Sequence, residues 1–353
     1  MSRFFSEKYY SLEAYVPGEQ PKDMKYIKLN TNESPFPQTK KVCEAAKIEA
    51  ENLNLYSDPE CTFLREKMSE VFEISTDKIL MTNGSDEALN FAFMAFGDKV
   101  HPFVFPDITY GFYPVFAEVN NIPYETIPLK DDFSIDVQKF IGINKNIVIA
   151  NPNAPTGIYL SLEEIEKIVK SNRNSVVIID EAYVDFGSES AIKLIDNYDN
   201  LLVCGTFSKS RALAGARLGF AFGNKELIRD LNTVKYSTNP YNVNRLTASV
   251  GVAVLEENGY YMDKCNEIIA NREWTKNELE KLGFFVTDSK ANFLFAKSEK
   301  ISGEKLYLKL KEKGILIRHF SLEKIKEFNR ITIGTKEQME KLVEAVKIIL
   351  EEN

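Results

Sequence analysis

Lys209 lies in Thr206-Phe-Ser-Lys209-Ser-Arg-Ala-Leu-Ala-Gly215-Ala-Arg217-Leu-Gly219, directly after the largely apolar run 201–206. Such a run reads as a buried strand, so the lysine stands just past a strand end. An amine partly withdrawn from water keeps a neutral fraction that can condense with a carbonyl. The hydroxyls of Thr206 and Ser208 can bind a phosphate beside it, and the guanidinium of Arg217 can do so bidentately. The plainer reading is a surface loop with an incidental basic pair, and the residues alone leave both open.

Three further segments carry polar groups at strand ends. Ile178-Ile179-Asp180-Glu181-Ala182-Tyr183 puts a carboxylate at the edge where open α/β sheets bind ligands. Asp180 there can keep a ring nitrogen protonated, or it simply caps the next segment. Asn151-Pro-Asn153-Ala-Pro155-Thr-Gly157 is a rigid turn whose Asn153 amide can bond a ligand oxygen, though as a turn alone it is unremarkable. Thr82-Asn83-Gly84-Ser85-Asp86-Glu87 passes from strand to helix. Its free N–H groups and helix dipole suit a phosphate, unless Ser85 is an ordinary helix cap.

Short β-branched runs alternating with helical patterns must position these groups. Strands are expected over 78–82, 101–105, 146–150, 175–180, 201–206 and 217–223. Helices are expected over 39–52, 59–73, 85–96, 109–119 and 161–172, the last opened by a capping box from Ser161 to Glu164. Consecutive apolar positions such as Val176-Val177-Ile178-Ile179 suit parallel strands covered on both faces. The alternation predicts a parallel α/β sheet. After about residue 240 the pattern changes to helices over 244–256, 260–281, 302–313 and 335–351. Short strands near 284–287, 291–297, 314–318 and 329–333 lie among them. The organisation predicts an N-terminal arm (1–35), a large domain (36–243) and a smaller α+β domain (244–353).

Composition narrows the chemistry. The 353 residues carry a net charge of −8, which argues against nucleic acid or an anionic membrane as partner. No apolar run approaches the roughly 18 residues that span a bilayer, and the first residues hold no apolar stretch of secretory length. A cytoplasmic location is expected. Four cysteines lie far apart with no CxxC, and the only histidines are His101 and His319. Neither a disulfide framework nor a multi-histidine metal site is expected, and both histidines read as structural.

The order of these pieces resembles that of the fold type I pyridoxal-phosphate aminotransferases: a turn with Asn153, then Asp180-x-x-Tyr183, then Ser208-Lys209, then Arg217 eight residues on. Further segments are similar to the histidinol-phosphate aminotransferase family in particular. They are Leu29-Asn-Thr-Asn-Glu33-Ser-Pro35, Leu55-Tyr56-Ser-Asp58-Pro, Thr109-Tyr110-Gly-Phe-Tyr113, Pro240-Tyr-Asn-Val-Asn244, Ser289-Lys-Ala-Asn292-Phe293, Gly314-Ile-Leu-Ile-Arg318 and Asn329-Arg330-Ile-Thr-Ile-Gly334. Matches run from residue 15 to the C-terminus. Two departures stand out: Tyr56 lacks a following proline, and Ser210-Arg211 replaces the usual small residue and aromatic after the lysine.

The resemblance implies a mostly parallel, seven-stranded central sheet flanked by helices, with a smaller α+β domain. It implies pyridoxal 5'-phosphate held covalently by Lys209, whose freed amine then moves a proton. Asp180 would bond the pyridine nitrogen, Tyr183 and Asn153 the phenolic oxygen, and Tyr110 would stack on the ring. The phosphate would rest on Gly84, Ser85 and Asp86, with Thr206, Ser208 and Arg217 around it. Tyr56 would reach the phosphate of a neighbouring subunit, making a homodimer with shared sites. Arg318 and Arg330, with Tyr15, Asn32 and Glu33 of the N-terminal arm, would hold the substrate; no metal is implied. The implied reaction moves an amino group between L-histidinol phosphate and glutamate/2-oxoglutarate. An aromatic aminotransferase or a lyase such as threonine-phosphate decarboxylase would share the cofactor residues, and both stay open at this point.

Overall fold

The computed structural model describes residues 2–10, 12, 18–21 and 23–352, so Tyr15 lies outside the described residues. In chain order the strands are β1 (Ile27–Lys28), β2 (Ile79–Thr82), β3 (Phe103–Pro106), β4 (Tyr124–Ile127), β5 (Asn146–Ala150), β6 (Val177–Asp180), β7 (Leu201–Thr206), β8 (Gly219–Gly223), β9 (Phe284–Val286), β10 (Phe293–Ser298), β11 (Ile315–Leu316), β12 (Arg318–His319) and β13 (Asn329–Thr332). The helices are α1 (Lys40–Ala50), α2 (Thr62–Phe72), α3 (Ser85–Phe96), α4 (Phe112–Val119), α5 (Leu162–Ser171), α6 (Lys225–Thr238), α7 (Arg245–Glu256), α8 (Asn258–Lys281), α9 (Gly303–Glu312) and α10 (Lys336–Glu351).

The main sheet has seven strands in the order β2-β8-β7-β6-β5-β3-β4. All neighbours run parallel except β8, which is antiparallel to both β2 and β7. Alternate side chains enter two separate cores. Ile147, Ile149, Val177, Ile179, Leu201 and Val203 join one cluster, whereas Val148, Ile178, Leu202 and Cys204 join another. That is the physical reason the sequence shows unbroken apolar runs here: both faces of each strand are covered. The capping box at α5 is present, with Ser161 and Glu164 each serving the other's backbone N–H.

Two elements of this unit escape the sequence pattern. β4 is a short edge strand whose central residues face solvent, so it lacks an apolar run. Among the described residues, α6 buries only Ile228, Leu231 and Lys235, a sparse stripe on an otherwise polar helix.

A second, antiparallel sheet has the order β12-β13-β10-β9. The single strand expected over 314–318 is in fact two. β11 pairs parallel with β1 of the N-terminal arm, while β12 turns to pair with β13. The arm is thereby fastened to the smaller unit, with Leu29 buried in that unit's core. The strand–helix alternation ends near residue 240, but the apolar packing changes hands later. Val250, Val254 and Tyr261 still pack with the large core, and Cys265 begins the smaller one.

Candidate active site

A cavity of about 300 Å³ borders the last residues of β5, β6 and β7, the edge where parallel sheets place ligands. Glu33, Ser85, Asp86, Tyr110, Asp180, Tyr183, Thr206, Ser208, Lys209 and Arg217 all line it. The topology accounts for the convergence: Ser85, Asp86, Tyr110, Asp180, Tyr183, Thr206, Ser208 and Lys209 end or follow strands of the main sheet that finish at this edge, Arg217 leads into β8, and Glu33 comes from the N-terminal arm.

Lys209 follows β7 in a turn closed by the Ala212 N–H donating to the Lys209 carbonyl. Its Nζ donates to the Thr31 carbonyl at 3.4 Å and stands 5.7 Å from the centre of the Tyr183 ring. Asp180 ends β6 and is 5% exposed. Its Oδ2 accepts from the Tyr113 hydroxyl at 2.9 Å, and its Oδ1 accepts from the Ala182 N–H at 3.2 Å. Capping and cavity-facing roles therefore coexist on one carboxylate. Burial pushes this carboxyl up to about 6, against the downward pull of the Tyr113 and Ala182 bonds and of Lys209. A carboxylate so deeply placed is best satisfied by a cationic N–H donor such as a protonated ring nitrogen.

The other end of the cavity is an anion cradle. Gly84 (φ +80°) precedes α3, and Ser85 is the first helical residue, with no side-chain cap at this helix start. The ordinary cap reading of Ser85 therefore does not hold. A Cβ on Gly84 would stand 2.6 Å from Arg217 Nη2, and one on Gly219 would stand 2.3 Å from the Gly84 carbonyl carbon. Two missing side chains let Arg217 close over the helix start. Arg217 pairs with Asp86 at 3.2 Å, and the Tyr110 hydroxyl donates to the other Asp86 oxygen at 2.8 Å. Thr206 and Ser208 hydroxyls lie 2.9 Å apart on the facing wall. First-turn N–H groups, hydroxyls and a guanidinium meeting in one place have the chemistry to bind a phosphate.

Other expected residues lie elsewhere. Asn153 is buried in its turn and does not line the cavity. Its amide donates to the Ile108 carbonyl and to Thr156 and accepts from Thr109. Asn32, expected to touch substrate, sits behind the wall at 1% exposure. Glu33 does line the cavity, held by Lys28 and Thr31 at 2.8 Å each. Burial pushes its carboxyl up, but those bonds and the charges of Lys28 and Lys209 win, and the net shift is downward. Arg318 and Arg330 are register partners on β12 and β13, and both guanidiniums lie 5.9 Å from the Phe320 ring. Neither lines the cavity. Arg330 reaches toward it through the Asn30 carbonyl at 3.1 Å, one residue before Thr31. Tyr56 is 80% exposed, stacks on Tyr241 and does not line its own chain's cavity.

Residues 24–346 match the family described as aminotransferase class I and II. The chain belongs to this family. A histidinol-phosphate aminotransferase from Brachyspira hyodysenteriae is 50% identical over 356 residues, covering 99% of each chain. One from Clostridium acetobutylicum is 48% identical over 348 residues, covering 98% of this chain and 99% of its own. The crystal structure of histidinol-phosphate aminotransferase from Sinorhizobium meliloti in complex with pyridoxal-5'-phosphate shares the fold. Its TM-score is 0.90 at 20% identity, and the match covers 100% of this chain and 99% of that one.

Within this aminotransferase two residues carry structural roles that the sequence reading left unassigned. Tyr113 is fully buried against Asp180, and its only sequence signal is its place three residues after Tyr110 at a helix start. Arg211, the departure after Lys209, is buried in an ion pair with Asp185 at 2.7 Å and donates to Asn258 at 3.0 Å. It anchors the lysine loop to the segment after β6 and to α8.

Proposed function

We propose that this aminotransferase converts L-histidinol phosphate and 2-oxoglutarate to imidazole-acetol phosphate and L-glutamate, a step of histidine biosynthesis, using pyridoxal 5'-phosphate. One observation carries the reading: a single cavity joins an amine, a buried carboxylate and an anion cradle, in a chain half identical to named histidinol-phosphate aminotransferases over its full length. The residues fit the cofactor. Asp180 suits its ring nitrogen, the Gly84–Asp86 helix start with Ser208 and Arg217 suits its phosphate, and Lys209 suits its aldehyde.

Bound there, the cofactor supplies an electron sink for negative charge on the substrate carbon. The chain supplies the rest. Asp180 keeps the ring nitrogen's proton in place. Lys209 Nζ would carry the proton between the substrate carbon and the cofactor's aldehyde-derived carbon. Tyr183 would donate to the cofactor's phenolic oxygen, and Tyr110 would stack on its ring. Arg330 and Arg318 take the substrate phosphate, since paired guanidiniums match a dianion.

Tyr56 serves the site of a second copy, which explains its exposure on its own chain. Exposed Ile48 and Phe63 line an apolar groove of about 760 Å³ between α1, α2 and α7, and Leu53 and Leu55, close to Tyr56 in sequence, are exposed as well. A homodimer would cover them. No described helix is long and apolar enough to cross a membrane, and we place the reaction in the cytoplasm. The test is a substrate panel on protein reconstituted with pyridoxal phosphate. Keto-acid-dependent consumption of histidinol phosphate is expected. Preference for aromatic amino acids, or CO2 release with no amino acceptor, would overturn the assignment.

A further inference from the structure

We propose that Asn32 is a positioning residue that aims the hydroxyl hydrogen of Tyr183 into the cavity, and that the smaller sheet holds it to that task. The inference rests on the reading of Tyr183 as a cofactor contact. It assigns Asn32 a place in the machinery different from substrate binding.

Every polar group of Asn32 is engaged. Its Nδ2 donates to the Tyr183 hydroxyl oxygen at 2.9 Å. Its Oδ1 accepts from Thr332 Oγ1 at 2.9 Å, and its backbone N–H donates back to that same oxygen at 3.0 Å. Its carbonyl accepts from Asn292 Nδ2 at 3.0 Å. Thr332 lies on β13 and Asn292 just before β10, so two of the three partners belong to the smaller sheet's region. The residue is also left-handed (φ +56°), a conformation asparagine tolerates better than most side chains.

The consequence for Tyr183 is geometric. A phenol has one hydrogen and accepts through its lone pairs. With the amide donating to the oxygen, the hydrogen must point elsewhere. The ring is fixed edge-on against Phe293 at 5.0 Å, and the residue forms part of the cavity wall. The hydrogen is therefore presented to the cavity. A donor aimed at an oxygen that is anionic in the deprotonated cofactor favours that form, so loss of its direction raises the pH at which the bound cofactor takes up a proton. The charged and titratable groups facing the same space are Lys209, Asp180, Glu33, Asp86, Tyr110 and Arg217. None is altered in the variants below.

The test is the pH midpoint of the visible absorbance of the pyridoxal-phosphate-bound protein. It is measured in wild type, Asn32→Gly, Thr332→Val, Tyr183→Phe and the double variant Asn32→Gly/Tyr183→Phe. Glycine accepts φ +56° and deletes the side chain with its amide; Thr332→Val keeps the strand shape and removes the hold on Asn32. Tyr183→Phe should raise the midpoint by about one unit, the scale of one hydrogen bond to a charged oxygen. Asn32→Gly and Thr332→Val should each raise it by a smaller amount in the same direction. In the Tyr183→Phe background Asn32→Gly should add nothing. An equal shift from Asn32→Gly with and without the Tyr183 hydroxyl overturns the proposal, as does no shift from either Asn32→Gly or Thr332→Val. Failure of the wild type to take up pyridoxal phosphate at all would instead overturn the functional reading beneath it. Melting curves of the cofactor-free variants separate lost stability from the spectroscopic effect.

Discussion

Tyr113 places its hydroxyl 2.9 Å from Asp180 Oδ2, joining the start of α4 to the end of β6 inside the core. Both groups are buried. The bond opposes the rise that burial imposes on the carboxyl, so it keeps more of Asp180 ionised than the site alone would. Tyr113→Phe should push Asp180 further above about 6 and move the acid limb of activity to higher pH. Affinity for pyridoxal phosphate should fall about tenfold at neutral pH, in line with one bond to a charged acceptor. Fluorescence titration with the cofactor checks this, and an unchanged affinity would remove Tyr113 from the site.

Lys209 is the only lysine on the cavity wall among the described residues. Borohydride treatment in the presence of pyridoxal phosphate should tag the peptide containing it and no other. Lys209→Ala should abolish the tag and lower turnover by about 10³-fold or more. Peptide mapping after digestion decides the matter.

Arg330 and Arg318 are register partners on adjacent strands of the smaller sheet, and neither lines the cavity bordered by Ser85, Asp86 and Arg217. Arg330→Met should therefore split the two phosphate sites. The kcat/KM for histidinol phosphate should drop by roughly 10- to 100-fold, while cofactor affinity stays within about twofold. Parallel loss of cofactor binding would show that the arginine serves the wrong phosphate.

Glu181 is buried beside Asp180, and burial pushes its carboxyl up to about 8 from 4.5, only partly countered by Ser190 and the Ala191 N–H. A carboxyl raised on folding makes the folded state hold more protons. Stability attributable to it is greatest at low pH and falls as pH rises from about 4.5 through about 8. Wild type should lose about 3–4 kcal/mol between pH 5 and pH 8 relative to Glu181→Gln. Urea unfolding of both chains at three pH values measures the difference, and parallel pH curves would exclude the mechanism.

Tyr56 gives a test of the shared site. Lys209→Ala and Tyr56→Ala chains are each expected to be impaired alone. Mixed and refolded together, hybrid dimers should carry one intact site, recovering up to about a quarter of wild-type activity. No recovery above the separate chains would place Tyr56 outside the partner's cavity.

The chemistry-bearing groups were legible where the chain itself announces a strand end. Asp180 and Thr206 end apolar runs, Ser208 and Lys209 follow one, and Gly84 precedes a helix, so local pattern sufficed to place them at the strand edge or helix start. The network behind the wall was not legible, because its bonds join distant positions. Tyr113 and Asp180 are separated by 67 residues, Asn32 and Tyr183 by 151, and Asn32 and Thr332 by 300. No local rule links such pairs. Asn32 and Asn153 look like ligand contacts in a linear chain, since an amide reads the same whether it faces a cavity or a turn. The split of 314–318 into two strands was hidden for a similar reason: β11 exists only because the arm lies alongside it.

The reversed strand β8 has a mechanical consequence. Gly219 is in register with Thr82 on one flank and Thr206 on the other. The helix start after β2 and the hydroxyl-lined turn after β7 are thus riveted to a common pin. Their spacing is two ladder widths, roughly 10 Å, dictated by interstrand hydrogen bonding. The two walls of the proposed phosphate cradle therefore keep a constant gauge, set by the ladder of β8.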